Sequence, residues 1–118
     1  MLDRLLKRLQ RSRLGPRQDL IKIGVLSAQT GAFAHYGETA IQGLKLGIEY
    51  ATGGTWEIAG RTIQLLIEDD GGEPESAEQI ARALIEREGV HLLQGCTSSP
   101  AAIKIARLAQ GYERLFVV

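Results

Sequence analysis

The stretch Val90-His91-Leu92-Leu93-Gln94-Gly95-Cys96-Thr97-Ser98-Ser99-Pro100 decides the fold. Val90 to Leu93 is an apolar run of strand length, and a helical pattern starts near Ala101. Residues 95–100 lie between them as a turn of glycine and hydroxyl residues. Ser99 ahead of Pro100 reads as an N-cap followed by the proline favoured at the first helical position. A strand that ends in such a turn and then opens a helix presents free N–H groups and the positive end of a helix dipole. Both favour an anion.

The chain on either side has the same alternation. Leu20-Ile21-Lys22-Ile23-Gly24-Val25-Leu26 reads as a buried strand, closed by the small and polar turn Ser27-Ala28-Gln29-Thr30-Gly31. A helix is expected from about Tyr36, with Ile41, Leu44, Ile48 and Ala51 on one face. Gly43 and Gly47, four apart, are expected to let it lie close on a sheet, and Gly53-Gly54 stops it. Residues 56–61 read as a short extended approach with a turn at Gly60, leading into a second strand, Thr62-Ile63-Gln64-Leu65-Leu66-Ile67. Glu68-Asp69-Asp70-Gly71-Gly72 ends that strand. Pro74 then opens a helix whose stripe is Ala77, Ile80, Ala81, Leu84 and Ile85, ended by Gly89. After the third strand and the opening turn, a third helix turns Ala102, Ile105, Ala106 and Ala109 inward and ends at Gly111. Leu115-Phe116-Val117-Val118 is a fourth strand.

This order predicts an α/β fold, a three-layer parallel sheet with strand order 2-1-3-4. Ligands of such sheets bind beyond the carboxyl ends of the strands, which singles out the turns 27–36, 68–73 and 95–100. A final strand with no helix after it reads as part of a larger protein.

Composition narrows the function. The 118 residues carry zero formal net charge, and only 5% are aromatic, so neither an electrostatic nor a stacking surface for nucleic acid is indicated. Cys96 is the sole cysteine, so no internal disulfide forms. No apolar run is long enough to span a membrane. Charge is uneven, however. Residues 1–20 hold Arg4, Lys7, Arg8, Arg11, Arg13 and Arg17 against Asp3 and Asp19. With Leu2, Leu5, Leu6 and Leu9 at helical spacing, residues 1–19 form a basic amphipathic leader and residues 20–118 a partial lobe. The leader has no continuous apolar segment or cleavage site of a secretory signal. It reads as a solvated linker, with contact to an anionic surface as the alternative.

Enzyme motifs fit poorly. From Gly31 to Thr39 the glycine spacing is one residue too long for a phosphate loop, and Glu38 stands where lysine is required. No dinucleotide glycine pattern follows the first strand. Glu68-Asp69-Asp70 suits a solvated turn capping the next helix better than a metal site. Cys96 near a helix start is a possible nucleophile, but His35 and His91 have no dyad spacing with it. His91 reads as a packed or satisfied strand residue.

Taken together, Ile21-Lys22-Ile23-Gly24-Val25, Thr30-Gly31, Tyr36-Gly37 and Gly43 resemble the opening of the type I periplasmic binding proteins. The most similar branch is the branched-chain amino-acid (leucine/isoleucine/valine) receptors of ABC transporters. Gly53-Gly54, Gly60-Arg61, Glu68-Asp69-Asp70, the second helix's Ala77, Ala81 and Leu84, and Gly95 with Ser98-Ser99 continue that resemblance in register. It implies a clam-shell of two lobes, of which this chain is an incomplete amino-terminal one. The implied ligand is a small amino acid or similar carboxylate, without cofactor, metal or catalysis, and the implied partner is an ABC permease. The serine matching Ser99 binds the α-carboxylate in that family, Ser98 matches a less constant neighbour, and Tyr36 matches an aromatic contact. The candidate ligand-binding residues are thus Ser99, Ser98, Thr97 and Tyr36, at a periplasmic or cell-surface location. Cys96-Thr97 departs from the small, glycine or proline residues common there. The alternative function is a sensory domain of the same fold, read by a fused partner.

Overall fold

The computed structural model describes residues 19–118, so the basic leader lies outside the described residues apart from Asp19. Strand β1 (Leu20–Ser27) is central. Helix α1 (Ala34–Ala51) follows, then a short strand β2 (Glu57–Ile58) and the long strand β3 (Arg61–Asp69). Helix α2 (Pro74–Glu86), strand β4 (Leu92–Gly95), helix α3 (Ser99–Gly111) and strand β5 (Leu115–Val117) complete the chain. The sheet order is β2-β3-β1-β4-β5. The expected order 2-1-3-4 is present as β3-β1-β4-β5, all parallel. The sheet is nevertheless mixed, because β2 pairs antiparallel with β3 at its edge. Ala59 and Gly60, at φ 52° and 75°, form a two-residue hairpin turn, as expected at Gly60, but the extended approach before it is a paired strand, β2.

Both faces of β1 are covered, and for that reason its sequence is almost continuously apolar. Leu26 belongs to a core with Leu93, Ala77, Ala81, Leu84 and Ile105, built by α2 and α3. Adjacent residues point oppositely. Val25 and Ser27 therefore face α1, and Ser27 Oγ donates to the Gly37 carbonyl at 2.8 Å. Three layers result.

The helices differ from expectation in detail. Helix α1 starts at Ala34, two residues before Tyr36. Its half-buried face is Ile41, Leu44 and Ile48, whereas Ala51 is exposed. Gly37 makes the close approach to the sheet; a Cβ there would stand 1.8 Å from the Ala28 carbonyl oxygen. Gly43 and Gly47 face open space, so the expectation about them is wrong. Helix α2 buries the expected stripe, with Ile80 half-buried. In α3 the buried residues are Ala101, Ile105, Leu108 and Ala109, and Ala106 is exposed. Burying Leu108 removes more apolar area from water than burying Ala106, which sets the rotation of the helix. The helix ends at Gly111 as expected, and Glu113, at φ 55°, takes a left-handed conformation after it.

Strand β4 is shifted two residues later than expected. Val90 is buried ahead of it, and His91, also outside the strand, is joined to β1 through Lys22: its N–H donates to the Lys22 carbonyl at 2.8 Å. Its Nδ1 accepts the Lys22 N–H at 2.9 Å. Burial, and then the cations Arg61, Arg114 and Lys22, lower the His91 pKa below its ordinary 6.5. No described helix is long and apolar enough to cross a membrane.

Candidate functional site

The parallel registers align the carboxyl ends of three strands. Ser27 of β1 pairs with Asp69 of β3, and Leu26 pairs with Gly95 of β4. The turns after β1, β3 and β4 therefore emerge side by side, as expected. Asp69 ties the first two together. Its Oδ1 accepts the N–H groups of Gln29 at 2.8 Å, Gly71 at 2.9 Å and Thr30 at 3.3 Å, while Oδ2 accepts the Thr30 hydroxyl at 2.8 Å. These bonds, from Gln29 and Gly71 first, hold its pKa at about 2. The acidic turn is thus a clamp between loops rather than a cap on the next helix. No group of three metal-ligating side chains occurs among the described residues.

The turn after β4 needs its glycine. Gly95 has φ 129°, and a Cβ there would lie 2.0 Å from the Leu26 carbonyl oxygen. The Gly95–Cys96 peptide is cis. Cys96 is half-buried and its thiol pKa is raised by desolvation, the opposite of an activated nucleophile. Its Sγ donates to the Ser98 carbonyl at 3.3 Å.

The N-cap of α3 is Ser98, not Ser99. Ser98 is extended (φ −113°, ψ 125°), and its carbonyl accepts the first helical bond, from Ala102, at 2.9 Å. Ser99 is therefore the first helical residue, and Pro100 the second. Ser98 is buried and makes no side-chain cap. Ser99 is exposed. The N–H groups of Ser99 and Ala101 have no partner among the described residues; Ala101 is fully buried, so the first turn of α3 presents the Ser99 N–H beside the exposed Ser99 hydroxyl. Thr97 Oγ1 is buried without a partner.

The fourth candidate, Tyr36, sits in the first turn of α1, 67% exposed, its ring edge-on to His35 at 6.0 Å. Thr97, Ser98 and Ser99 follow one another in the turn after β4, whereas Tyr36 lies on α1. A cleft of about 170 Å³ lies between α1 and the ends of β1 and β4, lined by Ser27, Ala40, Ile41, Gln94, Thr97 and Val118. Thr97 borders it; Ser98, Ser99 and Tyr36 do not. It is smaller than the 300–1,000 Å³ roughly typical of small-molecule sites.

The family described as periplasmic binding protein matches residues 20–118. An ABC transporter substrate-binding protein from Sphaerobacter thermophilus superposes with a TM-score of 0.77 at 36% identity, over 83% of this chain and 26% of that one. A branched-chain amino acid transporter protein from Rhodopseudomonas palustris gives 0.79 at 28% identity, over 82% and 26% respectively. A solute-binding protein from R. palustris, solved with benzoate, gives 0.74 at 27% identity, over 83% and 27%. The chain thus spans about a quarter of the length of the structures it matches. These neighbours are solute-binding proteins and not enzymes. With sheet order, turn placement and the match over 20–118 in agreement, the chain belongs to the periplasmic binding protein family, as part of an amino-terminal lobe.

Proposed function

We propose that this chain supplies the carboxylate-binding turn of the substrate-binding component of an ABC transporter, for a small amino acid or related carboxylate. The observation that carries this reading is the first turn of α3, where the unpartnered Ser99 N–H and the exposed Ser99 hydroxyl lie just beyond the end of β4. A carboxylate accepts both and gains from the helix dipole. Thr97 and Ser98 shape the turn, and Tyr36 lies on the neighbouring helix as an apolar wall. Neighbours solved with benzoate or named for branched-chain amino acids share a carboxylate. On this reading the protein works in the periplasm or at the cell surface and delivers its ligand to an ABC permease, which the family match supports. The far end of the ligand would meet a second lobe.

Isothermal calorimetry on the full-length gene product, with isoleucine and benzoate as probes, tests the reading. Ser99→Ala removes one charge-assisted hydrogen bond, roughly 1.5–3 kcal/mol, so affinity should fall about 10- to 100-fold. Unchanged affinity would exclude the turn.

A further inference from the structure

A second carboxyl group, Asp70, lies at the same end of the sheet as this turn, just after β3, and its burial is not explained by the site so far. Asp70 is 1% exposed. Its Oδ1 accepts the Gly72 N–H at 2.9 Å, but its Oδ2 is buried without a partner. Asp70 continues the alternation of β3 in which Leu66 packs on the core formed by α2 and α3. It therefore faces the side of the sheet on which α3 begins. Cys96, which opens the candidate turn, packs on that same core. Strands β3 and β4 flank β1, so Asp70 and the turn lie about two strand spacings apart, roughly 10 Å.

We propose that Asp70 tunes ligand affinity with pH, taking up a proton from solvent when a carboxylate occupies the turn 97–99. The inference rests on the carboxylate reading of that turn. A buried carboxylate lacking a partner on one oxygen is poorly solvated, and a second negative charge nearby disfavours it further. Desolvation, and then the charge on Asp69, already raise the Asp70 pKa, against the bond from Gly72. The groups around it do not relieve this. Asp69 stays ionised, the Cys96 thiol stays neutral, and Glu73 and Glu75 at the start of α2 are acidic. No lysine, arginine or histidine among the described residues offsets the charge. Two unit charges about 10 Å apart at an effective dielectric near 20 couple by about tenfold in affinity. The bound carboxylate then lifts the Asp70 pKa by about one unit, and uptake peaks at about half a proton per ligand. Affinity rises by about tenfold as pH falls through that midpoint and is flat below it.

The test is calorimetry of the full-length gene product in buffers of different ionisation enthalpy, across about pH 5 to 8, where both probes stay largely ionised. Isoleucine and benzoate should each bind with proton uptake near the midpoint. Asp70→Asn should bind without uptake and hold the acid-side affinity at every pH. Wild-type binding without uptake overturns the proposal, as does a wild-type pH profile in Asp70→Asn. If Asp70→Asn fails to fold, the wild-type uptake measurement decides alone. Loss of affinity in Ser99→Ala without wild-type uptake refutes only the role of Asp70. Unchanged affinity in Ser99→Ala refutes the carboxylate reading and this proposal with it.

Discussion

Gly37→Ala isolates the contact that seats α1 on the sheet. The new methyl group would begin 1.8 Å from the Ala28 carbonyl oxygen, whereas real Cβ contacts are essentially never under 3.0 Å, so helix and turn must part by at least 1.2 Å. Ala28 is fully buried and its backbone cannot swing aside as a flexible side chain would. Overpacking of this kind costs about 1–3 kcal/mol. The same shift strains the bond from Ser27 Oγ to the Gly37 carbonyl, about 1 kcal/mol more. Alanine returns about 1 kcal/mol through helix propensity. The net loss is about 1–3 kcal/mol, which lowers the urea midpoint by about 0.7–2 M at an m-value of about 1.5 kcal/mol/M. Gly43→Ala and Gly47→Ala are internal controls, because their Cβ atoms meet nothing within 4 Å. Each should gain about 0.5–1 kcal/mol from propensity alone. A Gly37→Ala protein as stable as the parent would refute the close approach. A large loss at Gly43 or Gly47 would refute the orientation of the helix.

Two further predictions concern pH. Asp69 has a lowered folded pKa, so its contribution is present above the unfolded value of 3.8 and lost as pH falls through about 2. Asp69→Ala should erase that acid transition in thermal melts and loosen protease protection of the turn after β1; an unaltered acid profile would refute the clamp. Burial and neighbouring cations lower the folded His91 pKa, so between it and the ordinary 6.5 the unfolded chain binds more protons and stability falls as pH falls. His91→Asn, which keeps an acceptor for the Lys22 N–H without titrating, should flatten that loss between neutral and mildly acid pH in chemical denaturation. Persistence of the loss would place its origin elsewhere.

Periodicity carried the sheet and helices well where it was strong. The stripe from Ala77 to Ile85 fixes one face of α2 without reference to the rest of the chain. The apolar run of β1 marks a strand covered on both sides. Where apolar residues are contiguous, as in Val90-His91-Leu92-Leu93, periodicity gives no phase, and the pairing of Leu92 with Ile23 and Leu115 decides which residues form the strand. Alanine-rich α3 is ambiguous for a related reason: Ala101, Ala102 and Ala106 are chemically alike, and only packing of Ile105 and Leu108 separates them. Three glycines on α1 look equivalent in sequence, yet only Gly37 meets another segment. The hydroxyl turn was legible because its residues are contiguous. The N-cap moved by one residue because Ser98 and Ser99 both qualify, and the choice rests on which carbonyl Ala102 reaches. Asp69 and Asp70 stand side by side but do opposite things, one bridging loops and one buried, and this depends on which face of β3 each leaves.

The Asp69 clamp also bears on how the sheet assembles. Its bonds to Gln29 and Thr30 join residues 40 and 39 positions apart, and they form only when Ser27 stands opposite Asp69. Slipping β3 by one residue along β1 moves that carboxylate about 3.3 Å and turns it to the opposite face, out of reach of both partners. Many backbone bonds along the two strands could re-form after such a slip, since one register resembles the next. The clamp could not. It thus distinguishes the native alignment from its nearest competitors at the end of the sheet where alignment places the loops, and it acts there as a proofreading contact for the pairing of β1 with β3.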